Sequence, residues 1–143
     1  MVTRERILET LDRGWGTYVA TFDALAPDVQ RLCLDRQGYR RFADVLAHVI
    51  AWWREGRVSV EALLTDPDFQ SPNRDVDAFN AEAVRAFMNE DEVAVRQAFE
   101  AARLDLLAFV ASLPEPAVAT EKIMAQLNME IIGHLAEHSL AEY

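Results

Sequence analysis

Apolar residues near the start of the chain fall at Leu8, Leu11, Trp15, Tyr18, Phe22 and Leu25, with gaps alternating between three and four. That period is the stripe of a helix packed in a bundle. Thr3 stands where an N-cap is wanted, with Arg6 where a capping box would carry Glu. Gly14 and Gly16 flank Trp15 and lower helix propensity, which suits a close helix contact or room beside the indole. Pro27 ends this helix or starts a turn, and residues 28–40 are mixed, punctuated by Gly38. A second periodic stretch runs from about Arg41 to Leu64, with Phe42, Val45, Val49, Trp52 and Gly56 on one seam and Leu46, Ile50 and Trp53 beside it. Residues 65–74 carry two prolines among turn formers and read as a surface loop. Asp75 caps a shorter helix bearing Val76, Phe79, Ala83 and Phe87, and Asn89 suits both its end and a new cap. A longer helix follows to Leu113 on Val95, Phe99, Leu106 and Val110, and Pro114 and Pro116 terminate it. The last helix starts near Thr120, with Met124, Leu127, Ile131, His134 and His138 as its seam.

Four long helices and one short one predict an all-α fold, a four-helix bundle in a single domain over residues 1–143. The segment 65–90 is long enough to cross over, so that the second and third long helices run parallel and the first and fourth run antiparallel to them. Trp15, Trp52, Phe99, Leu106, Leu127 and Ile131 lie on the seams and are expected in the core.

Composition narrows the function classes. Apolar residues make up 51% of 143 residues, with only five Gly and five Pro, which argues for a packed domain rather than a disordered chain. The formal net charge of −10 argues against a nucleic-acid backbone or an anionic membrane as partner. No apolar run reaches the length needed to span a bilayer, and the first residues lead into an amphipathic pattern rather than a signal segment. A cytoplasmic protein is the expectation. Cys33 is the single cysteine, so no internal disulfide forms, and a buried small hydrophobe is its expected role.

The candidate chemistry lies in the three histidines, all at apolar-seam positions. His134 and His138 are four apart and share a helix face. His48 borders the apolar face of the second helix, between Val45 and Trp52. At about 1.5 Å per residue, His48 sits roughly 9 Å into its helix, and His134 and His138 sit roughly 14 and 8 Å from the far end of theirs. Antiparallel helices with level ends would therefore bring all three to one depth. Three neutral imidazoles at one depth suit a divalent transition metal, zinc or nickel, with positions left open for water or substrate. The competing reading is three core histidines satisfied by hydrogen bonds.

Further candidates surround them. His134-Leu135-Ala136-Glu137-His138 matches the inverted zinc-peptidase motif H-x-x-E-H, but such enzymes need a further carboxylate ligand well downstream, so a peptidase is not expected. Glu137 is a candidate general base, against the simpler reading of a solvated helix-surface carboxylate. Asp44 and Glu130, each four residues before a histidine, are candidates to orient the second ring nitrogens, Asp44 serving equally as a first-turn carboxylate. Trp52 and Trp15 are candidate pocket walls, set against a role in the core. No glycine-rich phosphate loop, serine elbow or di-iron Glu-x-x-His motif is present.

Three stretches resemble a known family: Asp44-Val45-Leu46-Ala47-His48 followed by Trp52, Asp77-Ala78-Phe79-Asn80, and Ile132-Gly133-His134-Leu135-Ala136-Glu137-His138. Together they resemble the DinB/YfiT-like superfamily, and residues 75–80 are also similar to its ClbS/DfsB-like branch. The resemblance implies a bundle of up-down-down-up order, with a metal held by one histidine of the second helix and two of the last. It implies frequent homodimers. It also implies thiol-dependent S-transferase or isomerase chemistry using a low-molecular-weight thiol or, in the ClbS-like branch, protection against a genotoxin. The full histidine triad sets this chain apart from many members of that branch. Three functions follow: a metal-dependent transferase or hydrolase acting on a small molecule, a metal-free bundle that sequesters a small molecule, or a structural dimer module.

Overall fold

The computed structural model describes residues 1–141 and 143. They form helices only, with no strand among the described residues. Helix α1, residues 4–23, joins Arg4–Glu9, a π-helical stretch Thr10–Gly14 and Trp15–Asp23. Next come α2 (Pro27–Gln37), α3 (Phe42–Thr65), α4 (Val76–Ala86), α5 (Glu92–Ser112) and the short α6 (Glu115–Val118). Helix α7, residues 121–137, joins Glu121–Leu127, a second π-helical stretch Asn128–Gly133 and His134–Glu137.

Local chemistry starts these helices where polar residues precede apolar periods. Thr3 Oγ1 accepts from Arg6 N at 3.2 Å, Asp75 Oδ1 from Ala78 N at 3.1 Å, and Asp91 Oδ1 from Ala94 N at 2.8 Å. The cap of α5 is thus Asp91, not Asn89. Thr120 stands at the start of α7, but its hydroxyl turns back to donate to Pro116 O at 2.8 Å. Helix α2 is absent from the sequence reading. Pro27 opens it at the first helical position, and Gly38 closes it at φ 82°, a left-handed cap that glycine adopts without penalty. Only Cys33 and Leu34 of α2 are buried, so it carries no bundle seam to be recognised.

The four long helices pack side by side. Helix α3 lies against α5 and α7, and α1 lies against the same two. Ile7, Leu11, Trp15, Tyr18 and Phe22 carry the buried face of α1, with Ile7 rather than Leu8 leading it. Trp15, Phe99, Leu106, Leu127 and Ile131 are buried as expected, but Trp52 is only half-buried. The neighbouring Trp53 takes the core position, 2% exposed. Edge-to-face contact between Trp15 and Trp53, with ring centroids 5.2 Å apart, and stacking of Trp53 on Phe99 at 5.3 Å make an aromatic layer across the centre.

The π-helical stretches adjoin this layer. A π turn breaks the regular i→i−4 pattern and redirects carbonyls, which then need donors. Trp15 Nε1 donates to Ile131 O at 2.9 Å, and Trp53 Nε1 to Glu130 O at 3.1 Å. On the other side, the buried Arg103 donates to Leu11 O at 3.1 Å. Gly14 makes room for α7, since a Cβ there would lie 2.7 Å from Leu135 Cδ2.

Candidate metal centre

His48 projects from the second turn of α3, His134 from α7, and His138 from the residue that ends α7. All three are buried. Their ring centroids are 5.2 Å (His48–His134), 5.2 Å (His48–His138) and 5.7 Å (His134–His138) apart. One ligand nitrogen from each lies within 4.8 Å of the others, close enough to share an ion.

What the Nδ1 atoms do decides which nitrogens are available. His48 Nδ1 meets Asn80 Oδ1 at 2.9 Å, His134 Nδ1 meets Glu130 O at 3.2 Å, and His138 Nδ1 meets Gln37 Oε1 at 2.6 Å. Each partner atom is an oxygen acceptor, so each Nδ1 carries the proton and donates. In all three rings the lone pair is then on Nε2. His138 Nε2 is buried with no hydrogen-bond partner among the described residues. A buried acceptor left unmet carries a desolvation penalty, and a bound cation would relieve it. The donor set is three imidazole lone pairs, which suits a divalent transition metal.

Burial also keeps the rings neutral. His48 is pulled from 6.5 down to about 4, first by desolvation and then by the nearby His134. His138 falls to about 3 for the same first reason, with His48 and His134 adding to it. His134 is lowered by burial too, while the charge of Glu137 and the Glu130 carbonyl pull it back up. Neutral imidazole is the form that binds a metal.

The supports differ from those expected. Asp44 does not reach His48. Its carboxylate accepts from Arg41 N (3.1 Å), Nε (3.1 Å) and Nη2 (2.9 Å), closing a capping box at the start of α3. The carboxylate is captured by the backbone N–H and the guanidinium of Arg41 beside it, and His48, a full turn on, is left to other partners. Glu130 meets His134 through its backbone carbonyl, and its carboxylate Oε2 stands 4.0 Å from the ring. Glu130 as a whole is 5% exposed, and burial, then the charges of Glu137 and Glu55, push its carboxyl up to about 8. Glu137 is exposed and reaches the site by its charge. Trp15 is fully buried in the aromatic layer and walls no pocket. Trp52 stands beside the site, its ring centroid 6.4 Å from that of His134, tilted against Phe79 with centroids 4.2 Å apart and donating to Asn80 Oδ1 at 2.7 Å.

Three participants went unrecognised as site residues: Asn80, Gln37 and Tyr39, whose ring lies 5.6 Å from that of His48. Asn80 sits within the Asp-Ala-Phe-Asn stretch already singled out, so a signal existed for it. Gln37 lies 101 positions from His138, in a helix with no seam, and nothing local marks it. Burial, then the charges of Asp44 and Glu137, raise the Tyr39 hydroxyl to about 12, so it stays a protonated phenol near neutral pH. No helix among the described residues is long and apolar enough to cross a membrane. Comparison of the chain with protein-family models, with curated proteins and with solved structures gave no match.

Proposed function

We propose that this protein is a metal-dependent enzyme of the DinB-like type, in which His48, His134 and His138 hold one zinc or nickel ion and a small molecule is the substrate. The observation that carries this reading is the outward commitment of all three Nδ1 atoms, which leaves three Nε2 lone pairs for one ion. When bound, the ion supplies Lewis acidity to a thiol or water in its open positions, the basis for S-transfer or hydrolysis. The chain's own residues do the rest. Asn80, Gln37 and the Glu130 carbonyl hold the rings in register, burial keeps them neutral, and the indole of Trp52 with Phe79 borders the site with apolar surface. Glu137, exposed and charged nearby, remains the candidate base.

The up-down-down-up bundle order belongs to the same reading. Supporting it, Arg4 donates to Ala111 O while Arg96 pairs with Asp23, so α1 and α5 run in opposite directions. Ala43 N meets Glu92, and Arg57 lies over Phe109, so α3 and α5 run together. His48 faces His134 and His138 while Gly56 faces Glu130, so α3 and α7 are opposed.

The test is metal uptake by protein purified without a histidine tag. Near pH 7 the wild type is expected to take up one equivalent of zinc or nickel, and His134→Ala to lose most of it while keeping its helical signal. A wild type that takes up neither ion overturns the reading and favours a metal-free bundle that sequesters a small molecule.

A further inference from the structure

Helix α4 packs chiefly on α3 and buries little of itself. Of its eleven residues only Ala83 is buried. Few buried apolar contacts make a segment cheap to open locally. Several of its side-chain attachments to α3 gather beside the site: Phe79 rests on Trp52, Arg74 just before the helix pairs with Glu55 and lies over the Phe79 ring, and Asn80 reaches the site.

Asn80 makes two bonds through one atom. Its Oδ1 accepts from Trp52 Nε1 at 2.7 Å and meets His48 Nδ1 at 2.9 Å. An indole N–H only donates, so the Asn80 atom facing Trp52 is the oxygen, and the amide orientation is settled by that contact. The same oxygen then requires a proton on His48 Nδ1, which puts the His48 lone pair on Nε2, toward His134 and His138. The other two histidines take their acceptors from elsewhere: His134 from a carbonyl of its own helix, and His138 from Gln37 at the end of α2. Only His48 depends on α4. With α4 undocked, the His48 proton is free to sit on either ring nitrogen, and the ring loses its anchor.

We propose that Asn80 is a positioning residue that couples docking of α4 to occupancy of the three-histidine site. The proposal rests on the metal-binding reading above. Whatever factor α4 docking adds to metal affinity, metal must add to α4 docking, because coupling between two sites is reciprocal. Residues that orient a ligating histidine commonly contribute about 10–100-fold to metal affinity, and that range sets the expected coupling. Helix α4 is therefore an element whose order reports whether the site is filled.

Two measurements on the whole protein test this. The first is zinc affinity, by competition with a chromophoric chelator, for wild type, Asn80→Ala and Asn80→Asp. The second is hydrogen exchange of the peptide covering residues 76–86, with and without zinc. Zinc is expected to slow exchange in that peptide of the wild type by about 10–100-fold, and Asn80→Ala to lose a matching factor in affinity and the zinc-dependent slowing with it. Asn80→Asp keeps an acceptor oxygen and is expected to restore both. Nitrogen-15 shifts of the metal-free protein should place the His48 proton on Nδ1 in the wild type and spread it over both ring nitrogens in Asn80→Ala. The proposal is overturned if the wild type binds zinc but Asn80→Ala binds it equally well, or if exchange in residues 76–86 ignores zinc. It is also overturned, together with the metal-binding reading, if the wild type shows no zinc binding in the chelator titration. That titration alone separates the two failures.

Discussion

Two layers of the helical core use the same hydrogen-bonding device to opposite ends. In the aromatic layer, Trp15 and Trp53 donate their indole N–H groups to Ile131 O and Glu130 O. In the histidine layer, His48, His134 and His138 donate Nδ1–H to Asn80, Glu130 O and Gln37. An indole has one donor and no acceptor, so its single bond exhausts its polarity and the layer is closed. An imidazole with its Nδ1–H engaged still carries a lone pair on Nε2, so the second layer is left open toward its own centre. The layers meet at the Glu130 carbonyl, which accepts from both Trp53 and His134. A buried ring thus becomes a candidate site or plain core according to what remains after its first hydrogen bond.

The strongest way to break the comparison is to remove a ring from the closed layer. Trp15→Ala should cost about 3–5 kcal/mol by loss of buried surface, and it also leaves the Ile131 carbonyl without its indole donor. Urea denaturation reads the loss. Zinc uptake by the fraction still folded should persist, since Trp15 contributes nothing to the three Nε2 atoms. Uptake that vanishes with Trp15 would show the layers to be one unit.

Acid should act on the open layer first. Above 6.5 the histidines are neutral in both the folded and unfolded chain, and their contribution to stability is fully present. Below 6.5 the unfolded chain binds protons that the fold refuses until about 4 at His48 and about 3 at His138, so stability falls across that window. Glu130 works the other way. Raised from 4.5 to about 8, its carboxyl keeps a proton in the fold that the unfolded chain releases, so stability is lost as pH rises through that range. Glu130→Gln should remove the alkaline loss and leave the acid loss in place, seen as denaturation midpoints followed from pH 4 to 8.5. Because folded His48 and His138 resist protonation, zinc should stay bound well below 6.5, the pH at which an ordinary histidine would begin to release it. Release already complete at pH 6 would contradict the burial argument.

The smallest change sharpens the shared point. A Cβ at Gly56 would lie 2.6 Å from Glu130 Cγ, inside any tolerated contact. Gly56→Ala is therefore expected to destabilise by about 1–2 kcal/mol, an overpacking cost partly offset by helix propensity. Because Glu130 serves both layers, this variant should also weaken zinc binding, unlike Trp15→Ala. A stabilised Gly56→Ala protein with unchanged affinity would show that Glu130 moves aside freely.

Local chemistry was legible wherever cause and effect lie within one helical turn. Thr3 and Asp75 act as caps, and the apolar periods of α1, α3, α5 and α7 are visible in the order of residues because a helix face repeats every three to four positions. Asp44 shows the limit of such reading. Spacing makes it equally a cap and a histidine partner, and the backbone N–H and guanidinium of Arg41 decided for the cap. Helix α2 was missed because it buries two residues and leaves no periodic stripe.

By itself, the sequence determined that the chain is helical, where its long helices lie, and that three histidines occupy apolar seams. Tertiary structure alone decided that Trp53 rather than Trp52 enters the core, since a difference of one residue in helix rotation does not show in a 3-4 pattern. It also decided where α1 and α7 widen into π turns, because the redirected carbonyls persist only where Arg103, Trp15 and Trp53 arrive from other helices to meet them. The partners of His48 and His138 come from 32 and 101 positions away, and only folding sets such pairs side by side.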